Sequence, residues 1–197
     1  MKKYILFGFM LIATSLSAQD VFLESGMNFT TYNYKNALSQ TTTNIKPGNG
    51  VFFRAGLGSI GYRTKFSYGI SLNKFNATGG NGFDKYDWDV THLGGFAQWI
   101  NYLGEDNSLS FNFAFDLSSM IDGNQTLGNQ TIKLSSYDEF KGIWGGPRAG
   151  FGYQIISTNK SFLEIGYSIQ LSFNFSGNSD ETLRFTTHQL GIKLNLQ

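Results

Sequence analysis

Two histidines, His92 and His188, are the side chains in this sequence best suited to moving protons near neutral pH. A hydrolase or acyltransferase would need a serine held beside one of them. His92 is followed by Leu-Gly and His188 by Gln-Leu, so neither has a serine two residues on, although more distant serines are plentiful. The default for both is a satisfied histidine inside a fold or at an interface. Metal chemistry finds little here. There is no cysteine, the acids are scattered, and Asp84, Asp87 and Asp89 around Trp88 read as a solvated loop rim rather than a cation cage. Gly56-Leu-Gly58-Ser-Ile-Gly61 matches GxGxxG, but the dinucleotide fingerprint needs a helix to start there, whereas a tight turn and another strand follow. Those glycines read instead as relief from crowding. Gly79-Gly80-Asn81-Gly82 lacks the Lys and Ser/Thr of a phosphate loop and reads as a loop tip. No catalytic, cofactor-binding or metal residue is therefore assigned.

The charged residues that do stand in a pattern are Glu24, Arg54, Asp116, Arg148, Glu164 and Lys193. Each sits among Gly, Ser and Asn at every second position of an alternating stretch. In FLEIGYSIQLSFNF, residues 162–175, every second residue from Leu163 onward is apolar and those between are not. That is the period of a β-strand, whose successive side chains point to opposite faces. The same alternation recurs near residues 20–32, 50–62, 65–77, 86–102, 107–119, 142–157 and 183–197, which makes eight predicted strands. The fourth, from Tyr86 to Tyr102, is ambiguous. Leu93, Ala97 and Trp99 form one candidate apolar face, Val90, Phe96 and Ile100 the other, and Gly94-Gly95 is a candidate bulge between them.

The connections alternate in length. Those near residues 63–64, 103–106 and 158–160 are short, while those at 33–49, 78–85, 119–141 and 176–182 are longer and mostly polar. In an up-and-down sheet this places all the long loops at one end, the pattern of an outer-membrane barrel with tight periplasmic turns. The chain opens MKKYILFGFMLIATSLSAQD: two lysines, an apolar run too short to span a bilayer as a helix, then small residues. Residues 1–19 are thus expected to be a cleaved signal peptide, and 20–197 one barrel domain. Net charge is +1, so no nucleic-acid partner is indicated. The 24 glycines and 19 phenylalanines suit β-structure with turns.

The final strand, Gln189-Leu-Gly191-Ile-Lys-Leu194-Asn-Leu196, resembles the assembly signal of the small eight-stranded outer-membrane barrels of the OmpA/OmpX type, although here Gln197 follows where an aromatic often ends the chain. The resemblance implies an all-β, eight-stranded antiparallel transmembrane barrel in the bacterial outer membrane. It further implies both termini in the periplasm, lipid around the wall, and contact with the outer-membrane assembly machinery through the last strand. On this reading the apolar face meets lipid, and the polar face fills a lumen just wide enough for side chains. Tyr102 and Tyr153 would belong to the aromatic girdle at the tight end, Trp144 and Phe175 to that at the loop end. Lys193 is expected to bridge Glu24 and Glu164, helped by Gln154, Ser168 or water, with Asp116 and Arg148 as a second pair. The role expected is structural or surface-interacting, through loops of which the stretch from Ser119 to Lys141 is longest. A small channel, a lipid-modifying enzyme and a secreted soluble barrel are the alternatives.

Overall fold

The computed structural model describes residues 19–36, 38, 40–42, 45–59, 61, 63–81, 85–104, 107–158, 161–175 and 182–196. The expected signal peptide lies outside the described residues except for Gln19, which opens the first strand. Eleven strands follow in order: β1 (Gln19–Lys35), β2 (Thr41–Thr42), β3 (Lys46–Ser59), β4 (Thr64–Lys74), β5 (Ala77–Gly79), β6 (Tyr86–Leu103), β7 (Leu109–Leu127), β8 (Gln130–Lys133), β9 (Ile143–Ser157), β10 (Ser161–Asn174) and β11 (Thr182–Leu196). Eight of them form a closed ring, β1-β3-β4-β6-β7-β9-β10-β11, shut by the pairing of β11 with β1. Every pairing is antiparallel. The short β2, β5 and β8 extend this wall at the loop end.

The outer face carries what a water-soluble protein buries. Val21, Leu23, Met27 and Phe29 on β1, Phe111, Phe113, Phe115 and Leu117 on β7, and Ile192, Leu194 and Leu196 on β11 are all exposed. The inner face carries what a soluble protein leaves in water: Arg54, Asp116, Arg148, Glu164 and Lys193 are buried. An apolar belt encircling the whole wall has one solvent that suits it, the hydrocarbon of a bilayer. The chain is a transmembrane β-barrel.

The upper edge of that belt is written in the side chains. Outward residues turn polar past Phe29, Val51, Leu72, Leu93, Leu117 and Leu190, where Thr31, Asn49, Lys74, Thr91, Ser119 and His188 follow. At the same height the inner face turns apolar. Tyr32, Phe75, Trp88, Val90, Trp144, Leu183 and Phe185 enclose a core with Ile45, Ala77, Leu134 and Phe140. The strands thus run on beyond the bilayer, and there they fold like a soluble protein, apolar side inward.

Several expectations change. The stretches 33–49 and 119–141 are mostly polar and so are expected to be loops, yet much of both is strand among the described residues. Beyond the lipid an exposed strand face must be polar, so polarity there does not signal a loop. Residues 119–141 hold the upper part of β7, its hairpin with β8, and two 3-10 turns, Leu134–Ser136 and Asp138–Phe140. β6 keeps one phase throughout. Leu93, Ala97 and Trp99 point outward and Val90, Phe96 and Ile100 inward, and the irregularity falls at Thr91/His92 rather than at Gly94-Gly95. Tyr102 and Trp144 are not girdle residues. Both share the inward phase of their strands, Tyr102 packing on Phe162 at the tight end and Trp144 on Phe185 in the upper core. Tyr153 and Phe175 do face outward.

The two faces of β10 respond in opposite ways to the same substitution. Ile169 is outward and Ser168 is inward, with its hydroxyl on Gln189 at 3.1 Å. Ile169→Phe is expected to leave the yield of detergent refolding unchanged, and Ser168→Phe to lower it sharply through overpacking. Ile169→Arg should cost about 2–4 kcal/mol if it meets the bilayer midplane and less nearer the interface. Refolding yields in the reverse order would reassign the two faces.

Candidate functional site

The lumen is narrow because eight strands make a small circle, and it is filled from the tight end upward. Lowest lies an ion pair between Lys65 and Asp20, with the Lys65 ammonium 5.8 Å from the Tyr102 ring centroid and 5.5 Å from that of Phe162. Ile100, Tyr102 and Phe162 pack together beside it. Phe22 and Phe52 reach inward above, and glycines make their room. A Cβ at Gly56 would stand 2.8 Å from the Phe22 ring, and one at Gly26 would stand 2.7 Å from the Phe52 ring. The GxGxxG stretch is strand as far as Ser59, and its glycine at 56 answers to a phenylalanine, not a nucleotide.

Two ion-pair systems occupy the middle. Arg54 is fully buried; it donates to Glu24 at 3.2 Å and to Gln189, with its guanidinium 4.5 Å from the Phe52 ring centroid. Gln189 in turn donates to Asn28 at 3.0 Å. Arg148 donates through Nε to Asp116 at 3.0 Å and through Nη2 to Gln98 at 3.4 Å. Glu164 accepts from Ser110 at 3.0 Å. The space left among Glu24, Gln98, Asn112, Arg148, Glu164 and Lys193 is about 20 Å³, the volume of a single water.

All six charges named from sequence stand on the inner face, and Arg148–Asp116 is an ion pair. For Lys193 the inward facing and the place between Glu24 and Glu164 hold, and the direct contact does not. In register Lys193 is the cross-strand partner of both Glu24 and Glu164, yet among the described residues neither carboxylate forms an ion pair with it. Its ammonium lies 4.9 Å from the Phe22 ring centroid, and Glu24 turns instead to Arg54, its partner on β3. The planar fork of arginine can hold Glu24 and Gln189 together, which a lysine ammonium does with less geometric definition. The extra donor near Glu164 is Ser110, not Gln154 or Ser168. The alternation puts Ser110 on the polar face of its strand without assigning it a partner, and Gln98, Lys65 and Asp20 are not singled out by it. The period-two phase of β6 and β7 points to Gln98 and Ser110 once that phase is settled, while Lys65 and Asp20 sit at strand ends where phase carries least information.

The remaining candidates separate. His92 is buried with Nδ1 3.1 Å from Ser118 Oγ, its ring edge-on to Phe75 and Trp144. His188 faces outward at the edge of the apolar belt, paired with the Tyr167 hydroxyl at 2.6 Å. Asp87 accepts from Thr78 and Asp89 pairs with Lys74, while Asp84 lies outside the described residues. Among the described residues no three His, Asp or Glu gather as metal ligands.

No family model and no curated protein matches the sequence. Solved structures do. Neisserial surface protein A aligns over 88% of this chain and 95% of its own, with a TM-score of 0.51 and 14% identity. The fold is that of the small outer-membrane barrels. Ail of Yersinia pestis, solved with the heparin analogue sucrose octasulfate, aligns over 91% and 99%, at TM-score 0.49 and 10% identity. OprG of Pseudomonas aeruginosa aligns over 91% and 97%, at 0.44 and 9%.

The Arg54–Glu24 pair makes the lumen testable. Removing one partner of a buried pair strands the other charge, at a cost of about 3–5 kcal/mol. Arg54→Met should lose that much in urea unfolding from detergent or lipid, and Arg54→Met with Glu24→Gln should recover part of it. A double-mutant cycle for Lys193 and Glu24 should give a clearly smaller coupling. Equal couplings would restore the lysine bridge.

Proposed function

We propose that this protein is an exported outer-membrane barrel that acts as an anchor and contact surface, presenting its loop end to the cell exterior, rather than as a pore or an enzyme. The observation that carries this reading is the continuous filling of the lumen. Ring packing and the Lys65–Asp20 pair close the tight end, charged pairs fill the middle, and the aromatic core closes the top. A diffusing solute would have to displace all three layers. The burial of His92, with Phe75 and Trp144 edge-on to its ring and the half-buried Ser118 as its partner, also supports a structural role. The six lumen charges serve, on this reading, to hold the wall in register. The first 19 residues serve as the export signal, and β11 as the strand met by the assembly machinery.

Reconstituted in planar bilayers, the protein should show no steady stepwise conductance. Reproducible open steps that respond to Arg148→Ala would overturn the filled-lumen reading. Protease added to intact cells should cut near the exposed Gly128–Asn129 turn and spare residues 103–108 at the tight end. The reverse pattern would invert the orientation.

A further inference from the structure

Above the bilayer, beside the apolar core, lies a pocket of about 290 Å³. Five rings line it: Tyr34, Tyr86, Trp88, Tyr137 and Phe140. They come from the upper ends of β1 and β6, from the second 3-10 turn and from Tyr137 between the two turns, so the pocket exists only because the strands outrun the membrane. Trp88 and Phe140 meet at 5.1 Å and 90°, Tyr86 and Trp88 at 5.6 Å and 34°. The walls are fixed. The Trp88 indole donates to Gln125 at 3.0 Å, and the Tyr86 ring lies over Gly79, where a Cβ would come within 2.1 Å of it. Burial raises the Tyr86 phenol above its ordinary value, so it meets the pocket as a neutral ring.

One charged side chain lines this pocket, Glu139, and no basic one does. Its neighbours Asp138 and Lys141 are paired with each other at 2.6 Å, and among the described residues Glu139 has no ion pair. Electron-rich ring faces attract cations, and a carboxylate at the rim adds to that attraction while opposing anions. A sugar would also stack on the rings and donate a hydroxyl to Glu139, but, being neutral, it draws no ion-pair attraction from the charge of that carboxylate. An alkylated ammonium has the apolar surface for the rings and the charge for Glu139, and a trimethylammonium group fits the volume.

We propose that this pocket binds a small organic cation, an alkylated ammonium of the choline type. The proposal deepens the reading of the loop end as a contact surface. It is tested in detergent, so its outcome does not depend on orientation in the cell or on conductance.

The experiment uses the full barrel refolded in a non-ionic detergent that carries no amine, titrated calorimetrically with choline at constant ionic strength. The comparison ligand is the neutral isostere with carbon in place of nitrogen. Choline should bind saturably and about ten-fold more tightly than the isostere. Glu139→Gln should weaken choline by about three- to five-fold. Asp138→Asn, which removes the same charge from the adjacent paired residue, should leave the affinity unchanged. Both variants change turn side chains, Asp138 exposed and Glu139 half-buried, and an unaltered melting curve shows that the fold is kept. Phosphocholine as competitor separates the sources: displacement of choline assigns the site to a lipid or glycan head group, and failure to displace assigns it to a free amine. Equal affinity for choline and isostere, equal effects of the two variants, or no saturation would each overturn the proposal.

Discussion

Everything in this barrel follows from the closing of one hydrogen-bond ladder, between β1 and β11. Backbone N–H and C=O groups have no partner in hydrocarbon, so a sheet crossing a bilayer cannot keep an edge. The first and last strands must meet, and they do over the whole run from Val21↔Leu196 to Lys35↔Thr182. Closing with eight strands fixes the circumference, and the circumference fixes how much can stand inside. Phe52 in the lumen is possible because Gly26 and Gly191 leave the wall bare where its ring lies. The same accounting holds for Glu164, which stands where a Cβ at Gly152 would be.

The strands serve two solvents in turn. Within the lipid the outer face is apolar and the lumen polar; above it the pattern inverts along the same strand. On β11, Ile192, Leu190 and then Thr186 and Arg184 face out, while Lys193, Gln189, Phe185 and Leu183 face in. On β11 the backbone does not slip, and only the chemistry on each side exchanges, at the height where water replaces hydrocarbon. On β7 the one-residue irregularity opposite Thr91/His92 shifts the phase as the strand leaves the belt. The upper half thereby gains an ordinary hydrophobic core, and with it the packing that holds the rings around the 290 Å³ pocket in place.

Charge inside the lumen is distributed by side-chain shape more than by strand adjacency. Glu24 has two cationic neighbours in register, Arg54 on β3 and Lys193 on β11, and it takes the arginine. Arg54 brings a second hydrogen bond to Gln189 and a stacking surface in Phe52, so one side chain organises three strands. Lys193 keeps its place between two carboxylates but lies against Phe22.

Period-two alternation by itself determined the class of this fold, the number of strands crossing the membrane and the side on which each of Glu24, Arg54, Asp116, Arg148, Glu164 and Lys193 stands. Facing is a local property, since neighbouring side chains on an extended backbone must diverge. Loop lengths likewise marked the tight end. Tertiary structure decided the rest. Which charges touch depends on reach and on competing partners across three strands, so Lys193 lost Glu24 to Arg54. Whether a polar outward face means a loop or a strand in water depends on where the bilayer ends, and that height is legible only once the turning points of neighbouring strands are lined up around the ring. Tyr102 and Trp144 show the same limit. Their aromatic character suggested the membrane interface, while their phase put them inside, where Phe162 and Phe185 wait to pack on them. The ring of aromatics around Glu139 joins residues more than a hundred positions apart, and only the closed barrel brings them together.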